Sequence, residues 1–474
     1  APRSRLDLRE RLTITIDPPD AQDHDDALSL EPHGSGWELG VHIADVAHYV
    51  RPGTALDAEA LLRGNSVYLP DMVVPMLPEP LSAGVCSLRP GVDRLALSVL
   101  VRLDPRGRPQ RHRIVASVIR SDHRLSYEQA EGMLRGELPA PPALARLLQG
   151  LWKVTTHLKA ARRAGGSLEL DLPETHVVLD AAGAPLEVVR YAQRDSHQLV
   201  EECMILANRT VGLEAAERGF PFLYRIHEAP LEARLAEFAQ LAEALGLNLP
   251  ERRRHGHEWI RSVSLKQASE VKRKLIQTLL LRSLAKARYS PHDVGHYGLA
   301  VQRYAHFTSP IRRYPDLVNH RQVHAWLAGQ PAERDTGYEA VGDQCTETEI
   351  RAMNAEREAI QVKCVRFMEP RVGEEFPAVV TGMLRTGFFV ELVDFPVEGM
   401  VRFAGLHDDH YVWEPERARF RGRRTGATVR LGDGLTVRLA RADLEARQLE
   451  FVPAEPLGGP AGRAPAGRRS RRSD

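Results

Sequence analysis

Residues Ile14 to Leu28 read ITIDPPDAQDHDDAL, and the rest of the chain is organised around them. Asp17, Asp20, Asp23, Asp25 and Asp26 crowd five carboxylates into ten residues. A β-branched run, Thr13 to Ile16, predicts a strand leading in. Pro18 and Pro19 stop it, so the acids sit on a turn at a strand end. Two like charges at ~4 Å repel by about 4 kcal/mol at an effective dielectric near ~20. Acids held together therefore call for protonation or for bridging cations. A solvated acidic loop is the plain alternative for an Asp-rich turn. Here, however, the acids lie between apolar residues (Ile14, Ile16, Ala27, Leu28, Leu30), and the prolines fix the backbone while non-adjacent acids converge. All-oxygen ligands suit hard cations such as magnesium or manganese. Two such ions about 3.5–4 Å apart make a hydrolytic site for phosphodiesters.

At 474 residues the chain exceeds one ordinary domain. With 43% hydrophobic and 27% charged residues it has the composition of a globular protein in water. No apolar run approaches the ~18 residues that would span a bilayer, so no membrane association is expected. The opening APRSRLDLRERL is charged and does not read as a signal peptide. Cys86, Cys203, Cys345 and Cys364 are scattered, without zinc or disulfide spacing, which fits a reducing cytoplasm. Net charge is only +1, but the terminal GRAPAGRRSRRSD is basic, which makes a polyanionic partner plausible without requiring one.

Gly36 to Val50 alternates like strands beside the first, and Leu56 to Leu62 reads as a short helix. Gly64 to Pro90 is rich in proline yet apolar, a segment ordered around a site rather than a regular element. Leu95 to Leu103 and Gln110 to Ile119 are predicted strands. Ser126 caps a helix reaching Leu134, with Gln129 at the capping-box position. Further helices are predicted over Leu144 to Arg163, Ser196 to Arg209, Leu231 to Leu245 and Lys266 to Arg288, then beyond Pro315 and over Thr346 to Phe367. From about Val372 the pattern turns to period two with glycine corners, which predicts a small closed barrel of OB type. Phe388, Phe389, Phe403 and Tyr411 interleave there with Arg385, Arg402, Arg419, Arg421, Arg423 and Arg424. That mixture suits stacking on unpaired bases, although about half of these aromatics are expected to be barrel core. Beyond Pro456 the Gly/Pro/Arg-rich tail reads as disordered.

Four stretches together, DPPDAQDHDDA, VYLPDMVVPMLPEPLSAGVCSLRP, LVEECMILAN and YAHFTSPIRRYPDLVNHR, resemble the ribonuclease II / ribonuclease R family. GHYGLA and HFTSPIRRYPDL look closer to ribonuclease R. The resemblance covers Ile14 to about Met368, and the barrel resembles that family's S1-type domain. It implies an α+β chain: a mixed α/β RNB catalytic domain over 1–368, an S1-type OB barrel over 369–455, and a basic tail over 456–474. It further implies a processive, hydrolytic 3′→5′ exoribonuclease that releases nucleoside 5′-monophosphates. The expected partner is single-stranded RNA with a free 3′ end, and the expected protein a cytoplasmic monomer.

Carried over residue by residue, the resemblance implies that Asp17, Asp23 and Asp26 hold Mg2+ (or Mn2+), while Asp25 helps to organise the attacking water. Asp20 falls on a variable position and is expected to be solvated. His24 is expected to be structural rather than a zinc ligand. Arg312 matches the arginine that stabilises charge on the scissile phosphate. Arg313 is its alternate and is otherwise a second phosphate contact or a structural pair. Tyr127 is implied near the terminal nucleotide, Tyr68 as the aromatic stacked on the RNA end, and Glu202 as a ribose contact, with Glu201 as the register alternative. In the barrel, Phe388 and Arg402 are the expected RNA contacts, read from the interleaving of aromatics with arginines. Two departures stand out. Leu170 occupies a position where the family has a stacking aromatic, so the final product length is open. Only sixteen residues precede Asp17, so the two cold-shock domains usual in the family are expected to be absent or removed. The rival readings are a catalytically silent RNA-binding regulator and a nuclease for DNA or short RNA.

Overall fold

A seven-stranded mixed sheet carries the acidic loop at its heart. The computed structural model describes residues 5–457 except 171, 192, 248, 250–258, 261–262, 264–268, 333–336, 407 and 415–418. The sheet begins with β1 (Leu6–Asp7), β2 (Ile14–Asp17), β3 (Asp26–His33) and β4 (Gly36–Ala44). A separate hairpin, β5 (Val67–Leu69) and β6 (Met72–Val74), precedes β7 (Asp93–Leu103), β8 (Pro109–Arg120) and β9 (His123–Ser126). The spatial order is β1-β8-β7-β4-β3-β2-β9. β1 with β8 and β2 with β9 run parallel, and the other neighbours are antiparallel.

Eight described helices cover this sheet and extend it: α1 (Ala55–Arg63), α2 (Tyr127–Leu134), α3 (Pro142–Gly165), α4 (Asp195–Arg218), α5 (Glu232–Ala244), α6 (Glu270–Ser283), α7 (Tyr314–Leu327) and α8 (Tyr338–Met368). The period-two pattern of β7 sets the layers. Leu97, Val99 and Val101 join Leu148 and Leu151 of α3 and Leu199 and Cys203 of α4 in one core. Ala96 and Leu100 join Ala60 of α1 and Leu317 and Val318 of α7 in the other. Burying each such leucine contributes about 1.5–3 kcal/mol. The predicted capping box starts α2: Ser126 Oγ accepts from the Gln129 amide at 3.1 Å, and Gln129 Oε1 accepts from the Ser126 amide at 2.9 Å.

Two short ribbons, β10 (Glu174–Leu179) with β11 (Pro185–Tyr191) and β12 (Tyr224–Ile226) with β13 (Arg288–Ser290), were not expected from the sequence. Five strands then close a barrel in the order β14-β15-β16-β21-β20. They are β14 (Glu375–Leu384), β15 (Gly387–Leu392), β16 (Glu398–Arg402), β20 (Gly434–Asp443) and β21 (Gln448–Pro453). Between β16 and β20 a three-stranded insert forms from β17 (Tyr411–Glu414), β18 (Arg419–Gly422) and β19 (Thr428–Arg430).

The expected α+β architecture with an OB-type barrel is what forms. Three expectations need correction. α4 and α8 run well past Arg209 and start well before Thr346, because tertiary packing extends both helices through residues of mixed polarity. Phe388 is fully buried inside the barrel and cannot stack on RNA. Arg402, by contrast, stays at the barrel surface, with its Nε 2.9 Å from Glu450 Oε1. The boundary drawn after Met368 also cuts a shared core: Cys364, Val365, Phe367 and Met368 of α8 pack with Phe376, Phe388 and Phe451 of the barrel. The basic tail from Arg463 to Arg472 and the first residues of the helix expected from Lys266 lie outside the described residues. Among those residues no helix is long and apolar enough to cross a membrane. The four cysteines are all buried and unpaired.

Candidate active site

The acidic loop is tied down along its whole length. Asp17 closes β2 opposite Ser126 of β9, and Asp26 opens β3 opposite Ile43 of β4. Between them a turn forms, with the Ala21 amide donating to the Pro18 carbonyl at 3.1 Å. The segment after the proline-rich stretch clamps the far side. Ser87 Oγ donates to the Gln22 carbonyl at 2.6 Å and accepts from the His24 amide at 3.0 Å, and the Leu88 amide donates to the His24 carbonyl at 3.0 Å. Thus Gly64 to Pro90 is ordered around the acids, as its composition implied.

Each acid has a distinct position. Asp20 is exposed, as expected. His24 is buried, and its Nδ1 lies 2.9 Å from Asp17 Oδ2, so it orients that carboxylate, as the structural expectation held. Asp23 accepts from the Tyr68 hydroxyl at 3.1 Å. Asp25 is buried: its Oδ1 accepts from the Ile311 amide at 2.8 Å, and its Oδ2 makes no hydrogen bond, only a 3.3 Å approach to Arg312 Nε. Burial pushes Asp25 well above the usual carboxylate range, with Arg312 pulling the other way. Burial and the neighbouring charge of Asp17 push Asp26 up to about 7. The predicted electrostatic crowding is therefore present in the folded chain.

Arg312 comes from a loop built with equal care. Asp316, in the first turn of α7 and fully buried, accepts from the Ser309 amide at 2.8 Å and from Arg313 Nη2 at 2.7 Å. The Arg312 carbonyl accepts from the Ser66 amide at 3.0 Å, and the Gly64 carbonyl accepts from the Tyr314 amide at 2.9 Å. One backbone bridge thus fixes Arg312 relative to the segment that carries Tyr68. Gly64 has φ +71°, and a Cβ there would meet Thr348 Oγ1 of α8 at 2.0 Å, so this close approach needs glycine. The Arg312 side chain is 44% exposed and donates from Nη2 to Ser309 Oγ at 3.0 Å. Arg313 is the structural partner of Asp316.

These parts converge on one cavity of ≈ 710 Å³, lined by Asp17, Asp23, Asp25, Asp26, Tyr68, Tyr127, Arg312 and Arg313. Tyr127, the first residue of α2, lies stacked on His197 with ring centroids 3.8 Å apart. Glu202 does not reach the cavity. It is buried and bonded to Arg162 of α3, with Nη2 at 2.5 Å, while Glu201 stands in the cavity wall. The phase of α4 gives the reason. Glu201, Met204, Ile205 and Asn208 follow helical spacing on the cavity face, whereas Glu202 shares the α3 face with Gln198, which bonds Lys159. Leu170 is half-buried and packs against the core around Leu235 and Phe238. Asn208, Arg225, Tyr304 and His306 also line the cavity and were given no role from the sequence. The i, i+3, i+7 relation of Asn208 to Glu201 was a readable signal.

The carboxylates suit a hard cation, and the buried Oδ2 of Asp25 makes no hydrogen bond among the described residues. Among the described residues no three His, Cys, Asp or Glu side chains form a ready-made cage. Magnesium does not need one, because it commonly takes one or two carboxylates and completes its shell with water and substrate phosphate oxygens.

Residues 5–329 match the RNB domain. The chain is 40% identical over 96% of its length to ribonuclease R of Aquifex aeolicus, and it spans 66% of that relative, just under two thirds. It is 32% identical over 96% of its length to ribonuclease R 2 of Lactococcus lactis, of which it spans 70%. Its fold matches ribonuclease R of Mycoplasma genitalium, solved with ribose-methylated single-stranded RNA, with a TM-score of 0.89 at 27% identity, over 95% of this chain and 72% of that one. The acidic loop, the arginine loop and the barrel thus come together in a chain that belongs to the RNB family, among the ribonuclease R proteins.

Proposed function

We propose that this chain is a 3′→5′ exoribonuclease that hydrolyses single-stranded RNA from a free 3′ end and releases nucleoside 5′-monophosphates. The observation that carries this reading is the convergence of Asp17, Asp23, Asp25 and Asp26 with Arg312 in one cavity. An acidic cavity repels a polyanion, so four acids there serve chemistry rather than binding. Asp17, Asp23 and Asp26 would hold Mg2+ or Mn2+, which supplies activation of water and neutralisation of phosphate charge. His24 holds Asp17 in position. Asp25 couples the acids to the Arg312 loop through the Ile311 amide, so the two halves of the site keep their spacing. Arg312 presents a fork of donors to the developing charge on the phosphate. Tyr68, 39% exposed, offers a ring to the end of the strand while its hydroxyl stays on Asp23. Glu201 takes the ribose role first assigned to Glu202.

The test compares end-labelled RNA and DNA homopolymers with magnesium, with manganese and with EDTA. The expected result is a ladder shortening from the 3′ end of RNA alone, with monophosphate product, abolished by EDTA. RNA bound but left intact in every metal would establish the silent RNA-binding alternative instead.

A further inference from the structure

The cavity wall that contains Tyr304 and Asn208 also carries His306, a polar group that the proposed mechanism leaves unused. His306 lines the cavity, and its Nδ1 lies 2.9 Å from the hydroxyl of Tyr289. Its ring meets the edges of two tyrosines, Tyr289 at 5.6 Å and Tyr304 at 5.7 Å. Its carbonyl accepts from Asn319 Nδ2 at 2.9 Å, so both backbone and ring are fixed. Tyr289 is buried, and its face carries the Arg225 guanidinium at 4.6 Å, which Glu349 holds in turn at 2.7 Å.

The proton can be placed from this geometry. The Tyr289 hydroxyl has the imidazole as its one hydrogen-bond partner among the described residues, and a buried O–H left without an acceptor pays its full desolvation cost. Tyr289 therefore donates, Nδ1 accepts, and the imidazole proton resides on Nε2. Burial, with the charges of Arg313 and Arg225, holds His306 well below its ordinary pKa, so the ring is neutral. Nε2 makes no hydrogen bond among the described residues, and it is not sealed from solvent. The cavity thus presents a fixed neutral N–H donor.

We propose that His306 donates Nε2–H to the 2′-hydroxyl of one ribose of the strand in the cavity, making it a specificity-determining residue. The inference rests on the ribonuclease reading above. Phosphate charge already has the Arg312 guanidinium to meet it in this cavity, whereas a neutral donor matches a neutral hydroxyl. A 2′-hydroxyl is also the group that separates RNA from DNA.

The experiment uses the full chain, magnesium, and RNA oligomers carrying a single 2′-deoxy nucleotide at each of the last few positions. In the unsubstituted protein one position is expected to cost about 3- to 10-fold in kcat/KM, the worth of one hydrogen bond. In His306→Phe that positional penalty should vanish, with unmodified RNA turned over at the rate of the deoxy substrate, while penalties at other positions persist. His306→Gln, which keeps an N–H, should restore part of it. Tyr289→Phe frees the tautomer and should show the same positional signature more weakly, which keeps the idea testable if His306→Phe folds poorly. Equal losses on unmodified and all deoxy substrates would overturn the proposal and make His306 a phosphate contact or a packing residue. Failure of the unsubstituted protein to shorten any RNA would instead remove the ribonuclease reading, and needs no variant to be seen.

Discussion

The catalytic cavity and the barrel were both read from charged residues among apolar ones, yet the structure treats them differently. In the cavity, Asp25 is buried with an oxygen that has no hydrogen bond, and Asp26 is pushed up to about 7. In the barrel, Phe388 disappears into the core and Arg402 is matched by Glu450 at the surface. The cavity residues sit where folding alone disfavours them, and the barrel residues sit where folding alone would put them. Costly placement is evidence of function, whereas a comfortable one carries little information.

The largest expected effect tests that contrast directly. Asp25→Asn keeps shape and the acceptor for the Ile311 amide but removes a charge, so hydrolysis of labelled RNA should fall by about 10²–10⁴-fold. Filter binding of the same RNA should be unchanged or tighter, because a repulsive charge is gone; near-normal shortening would break the assignment of this loop. Glu202→Ala should cost about 3–5 kcal/mol of stability by stranding Arg162, measured by denaturant unfolding. Glu201→Ala should leave stability nearly intact and raise KM for RNA instead. If the two variants behave in the opposite sense, the helix phase argued here is wrong. Arg312→Lys keeps the charge but loses the fork, and should lower kcat by ~3–4 kcal/mol with little change in affinity. Equal losses in kcat and binding would reduce Arg312 to a positioning group. The smallest effect belongs to Arg402→Ala, within about 0–1 kcal/mol of stability for an exposed pair. Its turnover of short oligomers should match that of the unsubstituted chain, and a drop in that turnover would place the barrel surface within the catalytic site.

Much of this site was legible in the sequence for physical reasons. The prolines and flanking strands placed five acids together on a turn at a strand end, and the family resemblance singled out Asp17, Asp23, Asp25 and Asp26 among them. Asp20 was set aside because the family motif leaves its position variable, and His24 because a lone imidazole among acids is seldom a zinc ligand. Glu202 was misassigned because adjacent residues on a helix lie about 100° apart. Only Asn208, seven residues after Glu201, could set the phase. Phe388 was misassigned because period two says which residues share a face without saying which face is inside. The role argued for His306 was illegible, since it depends on Tyr289, Arg225 and Glu349, which meet only through β12, β13 and α8.

α8 has a consequence of its own. Its 31 residues make a rod roughly 46 Å long at ~1.5 Å per residue. Along it, Glu349 holds Arg225, Glu356 accepts from the Tyr68 amide at 3.1 Å, and Lys363 grips Asp71 at 2.7 Å. Glu358 meets Arg447 of the barrel, and the final turn enters the barrel core. Such a helix is packed into both parts rather than strung between them, so the two are expected to unfold together. Calorimetry should then show one cooperative unfolding transition, not two. A chain cut after Met368 would bare Phe367 and Met368 and associate through that scar. The division that period and composition suggest is thus a boundary of pattern, and the core that packs around Phe367 and Met368 runs straight across it.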